Sequence, residues 1–201
     1  TTQAFHFVEE VPNSGLYLCH NFVPVIGQEY VLTVVLNGET YTATETLAGV
    51  SPINRIEQDA EGGFNSDELE VKTYVTDPAG AGNYYMVRYK QSSLAIPYME
   101  VNDDKFINGN EFMLYYTQED LKVGDQLDIT IFGTSKRYYE YMSKVLLIAQ
   151  GTDGPFSTPP ATVRGNLVNQ TDAKHFALGY FTLSETDHTL YTLDRKSTRL
   201  N

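Results

Sequence analysis

YVLTVVLNGETYTATE, residues 30–45, carries two alternating runs on either side of Asn37-Gly38. Asn-Gly readily takes the positive φ angles of a two-residue hairpin turn, so the stretch predicts an antiparallel hairpin. Successive side chains of a strand point to opposite faces, which puts Tyr30, Leu32, Val34 and Leu36 together on one side. Ahead of it, GLYLCHNFVP (15–24) reads as another strand, closed by Pro24.

Beyond the hairpin the alternation breaks from Ser51 to Asp67, where Pro52, Gly62, Gly63 and several acids mark a connection. A domain boundary is expected near residue 57, giving one unit over 1–56 and a second over 57–193. A new β series then begins. ELEVKTYVT (68–76) alternates Leu69, Val71, Thr73 and Val75 against Glu70, Lys72 and Tyr74. NYYMVRYK (83–90), EFMLYYT (111–117) and QLDITIF (126–132) continue it, with KVGD (122–125) as a turn before the last. TSKRYYEYMSKVLLIAQ (134–150) changes period. Tyr138, Tyr141, Met142, Val145 and Ile148 or Ala149 recur at helical spacing, and Thr134 or Ser135 can cap the first turn. GTDGPFSTPP (151–160) reads as a loop, and FALGYFTLS (176–184) and HTLYTL (188–193) as closing strands. The expected fold is mainly β, with β-sandwich domains and one amphipathic helix at about 134–150.

Composition agrees. The 201 residues include 41% hydrophobic side chains, enough for a substantial core, and 15 Tyr and 10 Phe but no Trp. No apolar run approaches the roughly 20 residues that span a bilayer as a helix. The net charge of −12 repels polyanions and argues against nucleic acid as a partner. The single cysteine, Cys19, forms no internal disulfide and reads as a small buried hydrophobe. The last eight residues, DRKSTRLN (194–201), equal the translation of GATCGGAAGAGCACACGTCTGAAC, part of a common sequencing adapter. They are expected to be read-through and are set apart from the fold.

Little in the sequence reads as reaction chemistry. In DPAGAGNYYMVRYK (77–90) the glycines lead into a strand and no Gly-Lys-Ser/Thr follows, so Gly80 and Gly82 read as a bend rather than a phosphate loop. Asp77-Pro78 starts the turn and Asn83 is expected to pair within it. VNDDKFINGNEF (101–112) fails as a calcium loop. With Gly109 at the loop glycine, Phe106 and Tyr115 fall where oxygen ligands are needed, which leaves Asp103 and Asp104 as a polar turn. His6, His20, His175 and His188 form no metal-binding motif, and no cofactor is expected. Asp172 and His175 are three apart in a segment that reads as loop, the nearest approach to a catalytic dyad. No Gly-x-Ser-x-Gly or Ser-x-x-Lys nucleophile motif occurs. The tyrosines of the strands (84, 85, 89, 115, 116) and of the helix (138, 139, 141) read mainly as core, with a ligand platform as the alternative. Asn169-Gln170-Thr171 is a glycosylation sequon whose use needs a eukaryotic secretory setting.

Taken in order, these segments resemble domain-of-unknown-function family 4249, lipoproteins of Bacteroidetes. DPAGAGNYYMVRY matches its Asp-Pro, short loop, Asn-Tyr-Tyr signature through Asp77, Pro78, Asn83, Tyr84 and Tyr85. The segment 15–43 resembles its Gly-x-x-Tyr-x-Leu-x-Val run, and 101–112 and 123–142 its Asn-Gly segment and Tyr-rich helix. DGPFSTPPATVRGNLV (153–168) and ALGYF (177–181) resemble its closing elements, with Gly179, Tyr180 and Phe181 in the Leu-Gly-Tyr-Phe positions. Gly154 and Gly165-Asn166-Leu167 depart from the usual residues, and NQTDAKHF (169–176) is longer than usual. The resemblance covers nearly all of residues 14–183. It implies that a full-length member starts with a lipoprotein signal and an acylated cysteine, which Cys19 does not match, followed by strands missing here. Residues 1–56 are then the back half of an N-terminal sandwich. It further implies an outer-membrane-anchored, periplasmic or cell-surface protein working beside a TonB-dependent receptor. The motif positions named above are expected to be structural, with no catalytic residue. The expected function is a non-enzymatic accessory or binding lipoprotein for nutrient uptake. The alternatives are an envelope hydrolase, using acids or His175 of the 151–175 loop, and an adhesin or surface scaffold.

Overall fold

The computed structural model describes residues 3–63, 68–149 and 162–194. Within them lie twelve strands and one helix. Strands β1 (Val8–Glu9), β2 (Tyr17–Leu18), β3 (Glu29–Leu36) and β4 (Glu39–Thr46) come first, then β5 (Ile53–Gly62), β6 (Glu68–Thr76), β7 (Tyr84–Gln91) and β8 (Tyr98–Asp103). They are followed by β9 (Glu111–Thr117), β10 (Gln126–Thr134), α1 (Lys136–Ala149), β11 (Val168–Asn169) and β12 (Thr186–Thr192). Every strand pair in the named sheets is antiparallel.

The hairpin forms as expected. β3 and β4 pair without a break from Glu29↔Thr46 to Leu36↔Glu39, and Asn37 and Gly38 turn the chain at φ 51° and 80°. β11 joins the far side of β4, so among the described residues β3 is the edge of a three-stranded sheet. On one face of β3, Tyr30 meets Phe22, which in turn contacts Phe5 and Phe7 edge-on. On the other, Val31 and Val35 stay exposed at 64% and 70%. The strand expected over 15–24 shortens to β2, which pairs only with β1. Phe22 is used in the aromatic cluster rather than in a ladder.

Within the connection expected over 51–67, residues 53–62 form a strand instead. β5 runs ten residues and pairs with β6, and residue 57, the expected boundary, faces Lys72 in mid-strand. Residues 64–67 lie outside the described residues. INRIEQDAEG hides its extended form because polar groups satisfy one another across the ladder and a bulge between Ile53 and Arg55 shifts the alternation. Arg55 bonds Glu57 (3.0 Å) and Glu111 (2.5 Å) and lies 3.6 Å from the Tyr74 ring centre. Buried Gln58 exchanges two hydrogen bonds with the Asp194 backbone.

Sheets β5-β6-β9 and β12-β10-β7-β8 pack face to face as a sandwich. Val71 and Val75 of β6 and Leu114 and Tyr116 of β9 meet Tyr85, Val87 and Tyr89 of β7 and Leu127, Ile129 and Ile131 of β10. The tyrosines bring polar ends into this core, and each hydroxyl finds an acceptor: Tyr89 donates to Thr73 (3.2 Å) and Tyr116 to Gln91 (3.0 Å). Tyr115, one residue off that face, is 58% exposed, so the period-two reading of the tyrosines holds. β8 was not anticipated. FALGYFTLS, expected as a strand, makes only one isolated bridge, Ala48↔Ser184, because side chains and not a ladder hold its backbone.

The helix forms where expected. The Ser135 hydroxyl accepts from the Tyr138 amide (3.2 Å) and caps it. α1 lies on the outer face of β7 and β8. Tyr139 meets Tyr84 at 5.1 Å between ring centres, the Tyr138 hydroxyl reaches the Met86 sulfur, and Met142 is buried. Among the described residues no helix is long and apolar enough to cross a membrane.

Candidate functional site

The Gly-Ala-Gly bend is held by the chain's own acids. The Asp77 carboxylate accepts from the Tyr85 hydroxyl (2.5 Å) and from the Gly109 amide (3.0 Å). One oxygen of Asp104 accepts from the amides of Gly82 (2.7 Å) and Asn83 (3.0 Å), and Asn108 accepts from Gly80 (2.9 Å). Asn83 closes the turn onto the carbonyls of Gly80 and Pro78. Amides that could cradle a phosphate are thus already bonded to protein oxygens. Asp77 and Asp104 are 1% and 5% exposed. Asp77, Pro78, Asn83, Tyr84 and Tyr85 are joined in one unit that fixes the entry of β7, with Tyr84 under the helix.

The second set of motif residues builds a groove. Gly165 passes so close to Gly179 that a β-carbon there would meet the Gly179 carbonyl oxygen at 1.6 Å. Beside this crossing the Asn166 side chain bonds both the amide and the carbonyl of Phe181, each at 2.8 Å. The crossing delivers Tyr180 between Tyr138 and Tyr141, with ring centres 5.1 and 4.9 Å away. Its hydroxyl donates to Glu45 (2.9 Å), which also accepts from Ser135 (3.0 Å) and from the Thr46 amide (3.0 Å). Three donors compensate this buried carboxylate. Burial first, then Glu45, push the Tyr180 hydroxyl pKa up to about 12, so it remains a donor at neutral pH.

Arg137, Glu140, Tyr141 and Lys144 fall at i, i+3, i+4 and i+7 and so share one face of α1. With Val163, Arg164, Gly165, Asn166 and Tyr180 they line a shallow groove of about 180 Å³. Three cations against one carboxylate make it a basic spot on a chain of net charge −12. Arg164 is oriented by Phe176, its guanidinium 4.0 Å from the ring centre. A larger cavity of about 360 Å³ between Ser93-Leu94 and residues 119–122 offers two carboxylates and a lysine but no ring. It has less with which to orient a ligand.

His175 pairs mainly with a residue other than the one expected. Its Nδ1 is 2.7 Å from Glu39 and 3.8 Å from Asp172, and the Tyr41 hydroxyl donates to the other Glu39 oxygen at 2.7 Å. The side chain is 66% exposed and lies beside Glu39 at the start of β4. A dyad across 136 positions of sequence leaves no local signal. The hydrogen bond to Glu39, then the Glu39 and Asp172 charges, raise the His175 pKa above its ordinary 6.5, while Tyr41 and His175 lower that of Glu39 below 4.5. A raised histidine pKa stabilises the folded chain fully below the unfolded value and loses this as pH rises through the folded value. A lowered carboxylate pKa contributes above the unfolded value and is lost as pH falls through the folded one. The clasp between β4 and the 169–176 loop is therefore tightest between about pH 4.5 and 6.5. NMR titration should show His175 titrating at higher pH in the wild type than in Glu39→Gln, and equal midpoints would refute the pairing.

The remaining residues are placed singly. Asn169 of the sequon is 6% exposed and donates to the His175 carbonyl, so its amide is not presented for glycosylation. Cys19, expected buried, is only partly so and its thiol contacts Asn21. His20 pairs with Glu10 and His188 with Asp128, both histidines being exposed. Among the described residues no three His, Cys, Asp or Glu side chains gather as a metal site. The Pro-Phe loop at 151–160 and most of the adapter-like tail lie outside the described residues.

Fold and groove define a mainly antiparallel β protein in which helix α1 closes an aromatic, cation-lined depression against the segment through Tyr180. The chain belongs to the family described as Domain of unknown function (DUF4249), whose model matches residues 1–189. The match includes both sets of motif residues. No curated protein matches the chain.

Proposed function

We propose that the chain is a non-enzymatic cell-envelope lipoprotein of a Bacteroidetes cell, an accessory or binding component of TonB-dependent nutrient uptake. In this reading the full-length protein is held at the outer membrane by an N-terminal acyl group, facing the periplasm or the cell surface. The groove between α1 and Tyr180 carries the proposal. It offers ring faces and charge to a solute, and its tyrosine hydroxyl is engaged as a donor to Glu45. Affinity capture from outer membranes with the tagged full-length protein should recover a TonB-dependent receptor. Repeated capture that recovers none would count against the association.

The His175–Glu39 pair favours one second reading, an envelope hydrolase using His175 as base. It predicts ester or glycoside hydrolysis that His175→Ala abolishes. Wild-type protein with no turnover, or turnover unchanged in the variant, would remove it.

A further inference from the structure

We propose that the groove binds a small monocarboxylate carried on a ring, with the carboxylate among Arg137, Lys144 and Arg164 and the ring against Tyr141 and Tyr180. This rests on the reading of the chain as a binding component and names the class of ligand.

Charge comes first. On a chain of net charge −12, three cations with one opposing carboxylate line a single depression. Guanidinium groups match a carboxylate in two parallel hydrogen bonds, and two of the three cations are arginines. Glu140 stands among them, 3.9 Å from Lys136, and repels a second negative charge, so a monoanion suits the site better than a dianion. Shape comes next. About 180 Å³ is close to the ~150 Å³ of an engineered protein cavity that takes up benzene, room for a single ring and its charged substituent. The Tyr141 and Tyr180 rings form one wall, 4.9 Å apart between centres. The Tyr180 hydroxyl is tied to Glu45, so this wall is fixed before any ligand arrives, which reduces the entropy lost on binding. The groove is shallow and Arg137 and Lys144 are exposed, so the dissociation constant is on the order of 1 mM.

The test is an NMR titration of the purified chain at fixed ionic strength. Sodium glucuronate and sodium benzoate are the two ring-bearing acids, glucose and benzamide their uncharged counterparts, and sodium acetate the acid without a ring. Saturable amide shifts at Tyr141, Lys144 and Arg164 with either acid, at least ~10-fold tighter than with its uncharged counterpart and with acetate, support the site. Which acid wins tells a sugar acid from an aromatic one. The double variant Arg137→Gln/Lys144→Gln keeps two exposed helix positions polar and should weaken binding a further ~10-fold with an unchanged spectrum elsewhere. Acetate binding as tightly as the ring acids, or no saturable shift with any probe, would overturn the proposal. Receptor capture is read on membranes and this titration on the isolated chain, so either can fail alone.

Discussion

Gly165→Ala should lower the thermal midpoint by about 6–12 °C and release the segment through Tyr180 from the helix. The backbone at 165 has no positive φ, so alanine is acceptable there by conformation. Space is what forbids it. The new methyl group would lie 1.6 Å from the Gly179 carbonyl oxygen and 2.6 Å from its carbon, both backbone atoms that cannot rotate away. The two backbone segments must part, and the paired bonds between Asn166 and Phe181 part with them. Overpacking of this kind plus two lost hydrogen bonds amounts to about 3 kcal/mol, and each kcal/mol shifts the midpoint by roughly 2–4 °C at this chain length. Hydrogen exchange at the Phe181 amide should speed up in step. An unchanged melt with unchanged Phe181 protection would show that the crossing is not as tight as described.

Asp77→Ala should lower stability by about 3 kcal/mol, seen as a fall of roughly 1.5 M in the urea midpoint for a slope near 2 kcal/mol/M. The carboxylate is 1% exposed and serves two donors from different parts of the chain, Tyr85 in β7 and Gly109 in the loop before β9. Alanine removes the acceptor that both share. The Gly109 amide loses this acceptor, whereas the Tyr85 hydroxyl can turn toward Ser51, 3.4 Å away. Asp77→Asn keeps one acceptor and should lose less than half as much. Equal losses for the two variants would mean that packing, and not the carboxylate, holds this bend.

The parts of this fold that were legible in the sequence are those where one face of a strand or helix is apolar. ELEVKTYVT became β6 with Val71, Thr73 and Val75 all buried, and the Tyr-rich 134–150 stretch became α1 with its cap at Ser135. β5 was missed because its fit depends on charges from other strands, and Arg55 is read only once Glu57 and Glu111 are beside it. FALGYFTLS misled for the opposite reason. It has strand-forming residues, but Asn166 supplies the bonds a neighbouring strand would have made. At the site, Tyr180 was singled out by motif, while Arg137, Lys144 and Arg164 were not. The helical spacing of Arg137, Tyr141 and Lys144 was visible, but nothing local showed that Arg164, 20 positions beyond Lys144, returns to the same depression.

The edge position of β3 has a bearing on handling. Its eight residues, EYVLTVVL, contain no lysine, proline or bulge that would discourage a neighbouring copy from adding on, and Val31, Val35 and Leu36 stand bare. What separates molecules in solution is then chiefly their shared negative charge of −12. That repulsion reaches about 10 Å in 0.1 M salt and about 3 Å in 1 M salt. Preparations kept dilute and at low ionic strength should stay clear, and salting the protein for storage should turn colloidal protection into fibril growth along this margin.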